Sequence, residues 1–195
     1  MGKLMVSLAA VALMSGCARN DAPMEPVAPA VDPSSPLAAP TFLSMAASSD
    51  QFEVQSGQLA QQRSQNQAVR SMGQMLVTDH TNSTQQLMAA AQGAGMTPPP
   101  PAMLPEHAQL LTQLQSAPAG QFDTVFRDVQ IQAHQQALAL HQNYANGGDT
   151  PALRTAAAGI VAVVQNHLNM LQSLSVAAPP PPQSYQEPVQ PGERG

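Results

Sequence analysis

Four ionisable side chains fall on or beside the apolar seams of four predicted helices: Glu53, His80, His134 and His167. His80 has the clearest position, because it stands where Leu would be ordinary in a seam that runs from Val69 to Ala90 in steps of three and four. Imidazole nitrogen together with carboxylate oxygen suits zinc, iron, manganese or copper. If the helices pack as a bundle, the four side chains can converge on one transition-metal ion.

Other polar residues near these positions could support such a site or be purely structural. Asp79 precedes His80, and His141 follows His134 by seven residues, which places both histidines on one helix face. His107, on a short predicted helix, is expected to be exposed. Several methionines share the seams and could suggest copper(I), but Met at such positions usually fills space; they are Met45, Met72, Met75 and Met170.

The alternative is a structural role for the histidines. A buried His can donate to a backbone carbonyl or to a facing carboxylate and so fix the register of two helices. Glu53 paired with His80 would satisfy both groups without any metal. Because strongly perturbed ionisable groups also occur in structural networks, the sequence alone favours this interpretation over a metal site.

Several kinds of chemistry are not supported. In di-iron bundles two helices carry Glu-x-x-His, whereas Val77 and Val164 stand three residues before His80 and His167, so ferroxidase chemistry is not expected. The predicted domain has no Cys, no Gly-x-Ser-x-Gly motif and no phosphate-binding loop. The net charge of -5, without a basic run, argues against nucleic acid. We therefore expect a protein that is not an enzyme.

The elements that position these side chains are predicted to be helices only, because no stretch alternates with period two. Two long helices joined by a short turn precede a Pro- and Gly-rich crossover, and two more, also joined by a short turn, follow it. The crossover contains a short helix. The predicted spans are Thr41, as a cap, to about Arg63; Val69 to Ala91; Leu104 to Leu114; Phe122 to Tyr144; and Pro151 to Leu174, capped by Asp149 or Thr150. This order predicts an all-α, ferritin-like antiparallel four-helix bundle within residues 41–178.

The N-terminal 17 residues are typical of a lipoprotein signal peptide. Lys3 precedes an apolar run from Leu4 to Met14, and small residues then lead into Cys17, the only cysteine. We expect lipidation of Cys17, and Ala18 after it favours the outer membrane over the inner. Residues 18–40 and 179–195 are rich in Pro and are predicted to be a disordered tether and a disordered tail.

With the helices placed, the chain resembles the bacterial domain-of-unknown-function family DUF4142. The resemblance covers about residues 41–174 and rests on these stretches: 53–60 (EVQSGQLA), Val69-Arg70, 75–81 (MLVTDHT), Phe122-Asp123, His134 and His167-Leu168. Where the family commonly has a Tyr after Phe-Asp, this chain has Thr124, Val125 and Phe126. The resemblance implies secretion and a four-helix bundle, and it supplies no substrate. It also draws attention to Asp123, which joins Asp79 and His141 as a polar residue that could support the site.

The sequence thus predicts a periplasmic bundle anchored to the membrane by lipid on Cys17. Its expected role is that of a non-catalytic binding or envelope-stress module with an envelope protein as a possible partner. The alternative is a periplasmic metal-binding or redox protein that uses the His and Glu residues in the bundle interior.

Overall fold

The computed structural model describes residues 31–100 and 102–176 of the chain. These residues form five α-helices and no strand: α1 (Ala39–Arg63), α2 (Gln67–Gly93), α3 (Pro105–Ser116), α4 (Phe122–Gly147) and α5 (Pro151–Ser173). None of these helices combines the length and the hydropathy needed to cross a membrane. The predicted signal peptide, Cys17, most of the predicted tether and the predicted tail lie outside the described residues.

The helices form two hairpins, α1 with α2 and α4 with α5, which pack against each other through α1 on α4 and α2 on α5. Phe42, near the start of α1, stacks on Tyr144, near the end of α4, at 3.8 Å between ring centroids. Asn66, which caps α2, donates to the carbonyl of Ser175, just after α5. Neighbouring long helices are therefore antiparallel, and residues 94–121, with α3, cross from one hairpin to the other. The prediction of a ferritin-like bundle with a short helix in its crossover is confirmed.

The start of the bundle differs from the prediction. Helix α1 begins at Ala39, and Thr41 lies inside it and donates its hydroxyl to the carbonyl of Pro33 at 2.7 Å. Of the two residues predicted to cap the last helix, Thr150 occupies the N-cap position of α5 without a side-chain cap hydrogen bond. Asp149 instead accepts from the backbone N–H of Ala39 at 3.1 Å. Because these bonds fix the end of the predicted tether, residues 31–38 form turns at the start of α1 and are not an extended segment.

The apolar core is divided into two clusters, one toward each end of the bundle. The first includes Phe52, Leu76, Leu114, Phe122, Phe126 and Leu171. The second includes Phe42, Leu43, Leu87, Tyr144, Leu153 and Ile160. On every long helix a buried ionisable residue stands between the segments that belong to the two clusters: Asp50, His80, His134 and His167. A polar layer therefore crosses the middle of the bundle.

Helices α1 and α2 approach each other closely where Gly57 faces Gly73. A Cβ atom built on Gly57 would lie 2.5 Å from the carbonyl oxygen of Gly73, and one built on Gly73 would lie 2.6 Å from the carbonyl oxygen of Gly57. Side chains at these positions would force the two backbones apart. The pair of glycines thus sets the separation of the hairpin just below the polar layer.

We expect Gly57→Ala to lower the free energy of unfolding by about 1–3 kcal/mol, because the new methyl group meets a backbone oxygen and overpacks the crossing. Gly159→Ala is the matched control: this exposed glycine of α5 has nothing within 4 Å of a built Cβ. The control should gain up to about 1 kcal/mol from helix propensity. Denaturant unfolding of both variants measures this, and two changes of the same sign would contradict the close crossing.

Candidate metal centre

Three histidines from three helices converge in the polar layer. One ring nitrogen from each of His80, His134 and His167 lies within 4.8 Å of the other two. The ring centroids are 5.5–5.6 Å apart, and none of the three residues is more than 3% exposed. The structure therefore brings together three of the four metal ligands that the sequence nominated.

In each histidine one ring nitrogen, here called the outer nitrogen, lies against an oxygen acceptor; the other is the inner nitrogen. The contacts are His80 Nδ1 with Asp50 Oδ1 at 2.8 Å, His134 Nδ1 with the Gln130 carbonyl at 3.0 Å, and His167 Nε2 with Asp79 Oδ2 at 3.0 Å. Carboxylate and carbonyl oxygens accept hydrogen bonds, so each outer nitrogen carries the hydrogen. A neutral imidazole has one N–H, and its second nitrogen then keeps a lone pair.

The inner nitrogens are thus His80 Nε2, His134 Nε2 and His167 Nδ1. His134 Nε2 and His167 Nδ1 are 3.4 Å apart, and His80 Nε2 is buried without a hydrogen-bond partner among the described residues. Two nitrogens bound at about 2.0–2.1 Å to a tetrahedral ion are themselves about 3.4 Å apart. The spacing fits two ligands of one ion, and it is a poor arrangement for two lone pairs with nothing between them.

The electrostatics of the three imidazoles differ. Burial lowers the pKa of His134 well below its usual range and also lowers the pKa of His167. Burial acts in the same direction on His80, but the hydrogen bond with Asp50 and the nearby carboxyl charges outweigh it and raise the His80 pKa. Metal ligands must be unprotonated. Burial therefore keeps two of the three imidazoles in the form that binds a metal.

Glu53, the fourth residue nominated from the sequence, lies beside the outer nitrogen of His134 and therefore does not complete the set of metal ligands. Its Oε1 is 3.4 Å from Nδ1 of His134, the outer nitrogen, and it is not among the groups whose ligand atoms cluster. Neither carboxyl oxygen has a hydrogen-bond partner among the described residues. Burial raises the pKa of Glu53 to about 8, so the group is mostly neutral at pH 7.

Two residues that hold the histidines were not singled out from the sequence. Asp50 stands three residues before Glu53, and an acidic residue one turn earlier on the same helix was a signal available in the sequence. It takes the place beside His80 that had been assigned to Glu53, and its second oxygen accepts from Thr84 at 2.9 Å. Gln130 acts through its backbone carbonyl, so its side-chain type gave no signal.

Three predicted polar positions lie outside the cluster. Asp123 is in the first turn of α4, about 16 Å along the helix from His134 at 1.5 Å per residue. His141 is buried about two turns from His134, with its ring edge-on to Phe42. His107, expected to be exposed, is buried and hydrogen-bonds Ser48 at 2.7 Å, because α3 folds back onto α1.

Comparisons with known proteins agree with this architecture. The model of the family described as "Domain of unknown function (DUF4142)" matches residues 23–174. The solved crystal structure of a DUF305 fragment from Deinococcus radiodurans is similar, with 20% identity and a TM-score of 0.60 over 71% of this chain and 95% of that chain. At this identity the likeness concerns the fold alone. No curated protein matches the chain.

Apo-protein stability should depend on His141, whose pKa burial lowers from 6.5 to about 4. Between these values the unfolded chain binds a proton that the folded chain does not, so the free energy of unfolding falls as the pH falls through that window. His141→Leu removes this loss, which is at most about 3 kcal/mol. Unfolding of chelator-treated wild type and variant from pH 7 to pH 4 measures it.

The two stability curves should diverge below about pH 6.5, with the variant less sensitive to acid. The acid sensitivity that remains in the variant comes from the other histidines whose pKa burial lowers, namely His107, His134 and His167. Parallel curves over the whole range would contradict a buried neutral His141.

Proposed function

The chain belongs to the domain-of-unknown-function family DUF4142, and we propose that it binds one divalent transition-metal ion through His80, His134 and His167. The observation that carries this proposal is the arrangement of the three rings. Each outer nitrogen faces an oxygen acceptor, and one ring nitrogen of each histidine lies within 4.8 Å of the other two. Oxygen acceptors that orient ligating imidazoles in this way are typical of protein metal sites and make the inner nitrogens better ligands.

The alternative structural role is less well supported by the contacts. A structural network would satisfy every buried nitrogen with a donor or an acceptor. His80 Nε2 has no partner among the described residues, and the inner nitrogens of His134 and His167 face each other at 3.4 Å. A cation at the centre of the three nitrogens satisfies all of them at once.

The ligand set favours zinc or copper(II). Imidazole nitrogen suits zinc, copper, iron and nickel, and affinity for divalent ions rises to a maximum at copper. Copper(I) prefers sulfur, and Met72, which lies on the same helix as His80, packs in an apolar cluster. Three nitrogens without a clustered carboxylate give a site of a different kind from the di-iron centres of ferritin-like proteins.

We further propose that this bundle works in the periplasm, anchored to the outer membrane by lipid on Cys17. The support is the order of Lys3, an apolar run and a lone cysteine at the N-terminus. In that compartment a metal-binding bundle would bind or buffer an ion at the membrane surface, with an envelope protein as the partner that delivers or accepts it.

Replacing the ligands should abolish metal binding without unfolding the bundle. His134→Leu and His167→Leu each remove one inner nitrogen and leave no unpaired buried charge. The Gln130 carbonyl is uncharged and still accepts a backbone N–H within the helix, and the side chain of Asp79 is 36% exposed. We expect equimolar zinc or copper in the wild type and little in either variant. Elemental mass spectrometry after dialysis measures the content.

His141→Leu is the matched control, because it changes a buried histidine of the same helix that lies outside the cluster. It should retain the full metal content. Equal metal loss in the control and in the ligand variants, or a wild type that takes up no metal and shows no rise in Tm with zinc or copper, would refute the proposal.

Asp50→Asn should weaken metal affinity by about 10- to 100-fold, the usual effect of removing the acceptor that orients a ligating imidazole. Asparagine keeps an oxygen near His80 but lacks the negative charge. Asp128→Asn is the control, since that carboxylate is exposed beside Arg127. Competition titrations against a chromophoric chelator measure both affinities, and an unchanged affinity in the Asp50 variant would remove Asp50 from the site.

A further inference from the structure

A small cavity between α2 and α5 adjoins the histidine cluster. Its volume is about 30 Å³, and its lining includes Asp79, His80, Ser83 and Val164. A polar cavity can hold a water molecule from about 10–15 Å³ upward. The cavity therefore has room for a water molecule or a single-atom anion, and little more.

Ser83 has a buried hydroxyl that the protein does not satisfy. The residue is 6% exposed, and its Oγ has no hydrogen-bond partner among the described residues. Helical Ser and Thr usually donate to the carbonyl four residues earlier, as Thr81 does to Val77 at 2.6 Å. Ser83 stands one turn after His80 and lines the cavity. A buried hydroxyl without a partner beside an empty space indicates a missing polar ligand.

The coordination set is also one ligand short. Among the described residues, the cluster of possible ligand atoms contains His80, His134 and His167 only. Zinc sites with three protein ligands hold water or an exchangeable ligand in the fourth position, whereas structural sites are closed by four. The side chain of Asp79 at the cavity is 36% exposed, which gives a small molecule a route from solvent.

We propose that the fourth coordination position of the metal opens toward this cavity and binds water or hydroxide, which accepts a hydrogen bond from the Ser83 hydroxyl. This inference rests on the metal site proposed above. A metal centre of this kind exchanges a small ligand, whereas an ion that is buried only to stabilise the bundle does not.

The test uses the full chain loaded with one equivalent of copper(II), whose electron paramagnetic resonance spectrum reports its ligands. Transfer into water enriched in ¹⁷O should broaden the spectrum, because a coordinated ¹⁷O nucleus couples to the unpaired electron. Fluoride, which is close to hydroxide in size and charge, should replace the water and add a splitting from ¹⁹F. Titration of that splitting gives the fluoride affinity.

Two variants of Ser83 separate the cavity from the metal. Ser83→Ala removes the hydroxyl and should weaken fluoride binding by about 10-fold, the size of one hydrogen bond to an anion. Ser83→Val also places methyl groups in the cavity and should abolish fluoride binding. Ser71→Ala, an exposed serine of the same helix, is the control with unchanged fluoride affinity. Copper content should stay equimolar in all of them.

The outcomes separate the two proposals. Full copper loading with no ¹⁷O broadening and no ¹⁹F splitting overturns the fourth position and leaves the metal site standing. Fluoride affinity unchanged in both Ser83 variants overturns the role of the cavity. Copper that binds equally well to His134→Leu and His167→Leu overturns the metal site itself, and the inference falls with it.

Discussion

The structure depends on the fixing of three imidazoles in a polar layer between two apolar clusters of the core. Each outer nitrogen is held by an oxygen from the same or a neighbouring helix, so no ring can rotate without losing a buried hydrogen bond. An unsatisfied buried polar group costs about 1–3 kcal/mol. Among the described residues, His80 Nε2 carries this cost in the absence of a ligand, as do the oxygens of Glu53 and the hydroxyl of Ser83. A fold that retains such a layer is less stable than the same bundle with leucine there, and the layer calls for a functional explanation.

The rest of the bundle supplies the stability that offsets this layer. Apolar clusters lie on both sides of it, and the Gly57–Gly73 contact brings α1 close enough to α2 for Asp50 to reach His80. The crossover is fastened by Arg63, whose guanidinium donates to the carbonyls at the end of α3, including that of Leu114 at 2.6 Å. Because the supports lie above, below and beside the histidines, packing and hydrogen bonds fix the positions of the three imidazoles.

The fold was predictable from the sequence because helix seams, Pro-rich breaks and turn residues act locally. The three histidines were predictable for the same reason, since each stands on a seam. The identity of the partners was not, because it depends on the relative height and rotation of the two hairpins. If α1 is shifted by one turn along its axis, the residue that faces His80 changes from Glu53 to Asp50. The sequence periodicity of α1 does not distinguish these two positions. His107 was misjudged because its own helix is short, and its burial comes from the packing of α3 on α1.

The distribution of ligands over the helices gives the proposed ion a mechanical consequence. His80 belongs to the first hairpin, whereas His134 and His167 belong to the second. Helix α1 contributes no nitrogen but is tied to the centre through Asp50. An ion bound by the three histidines therefore joins two hairpins that the chain connects only through residues 94–121. Ligand binding to the folded state adds its free energy to folding. An ion bound by these histidines would add that free energy across the interface between the hairpins. If the site binds an ion as proposed, its occupancy would control how firmly the two halves of the bundle are held together.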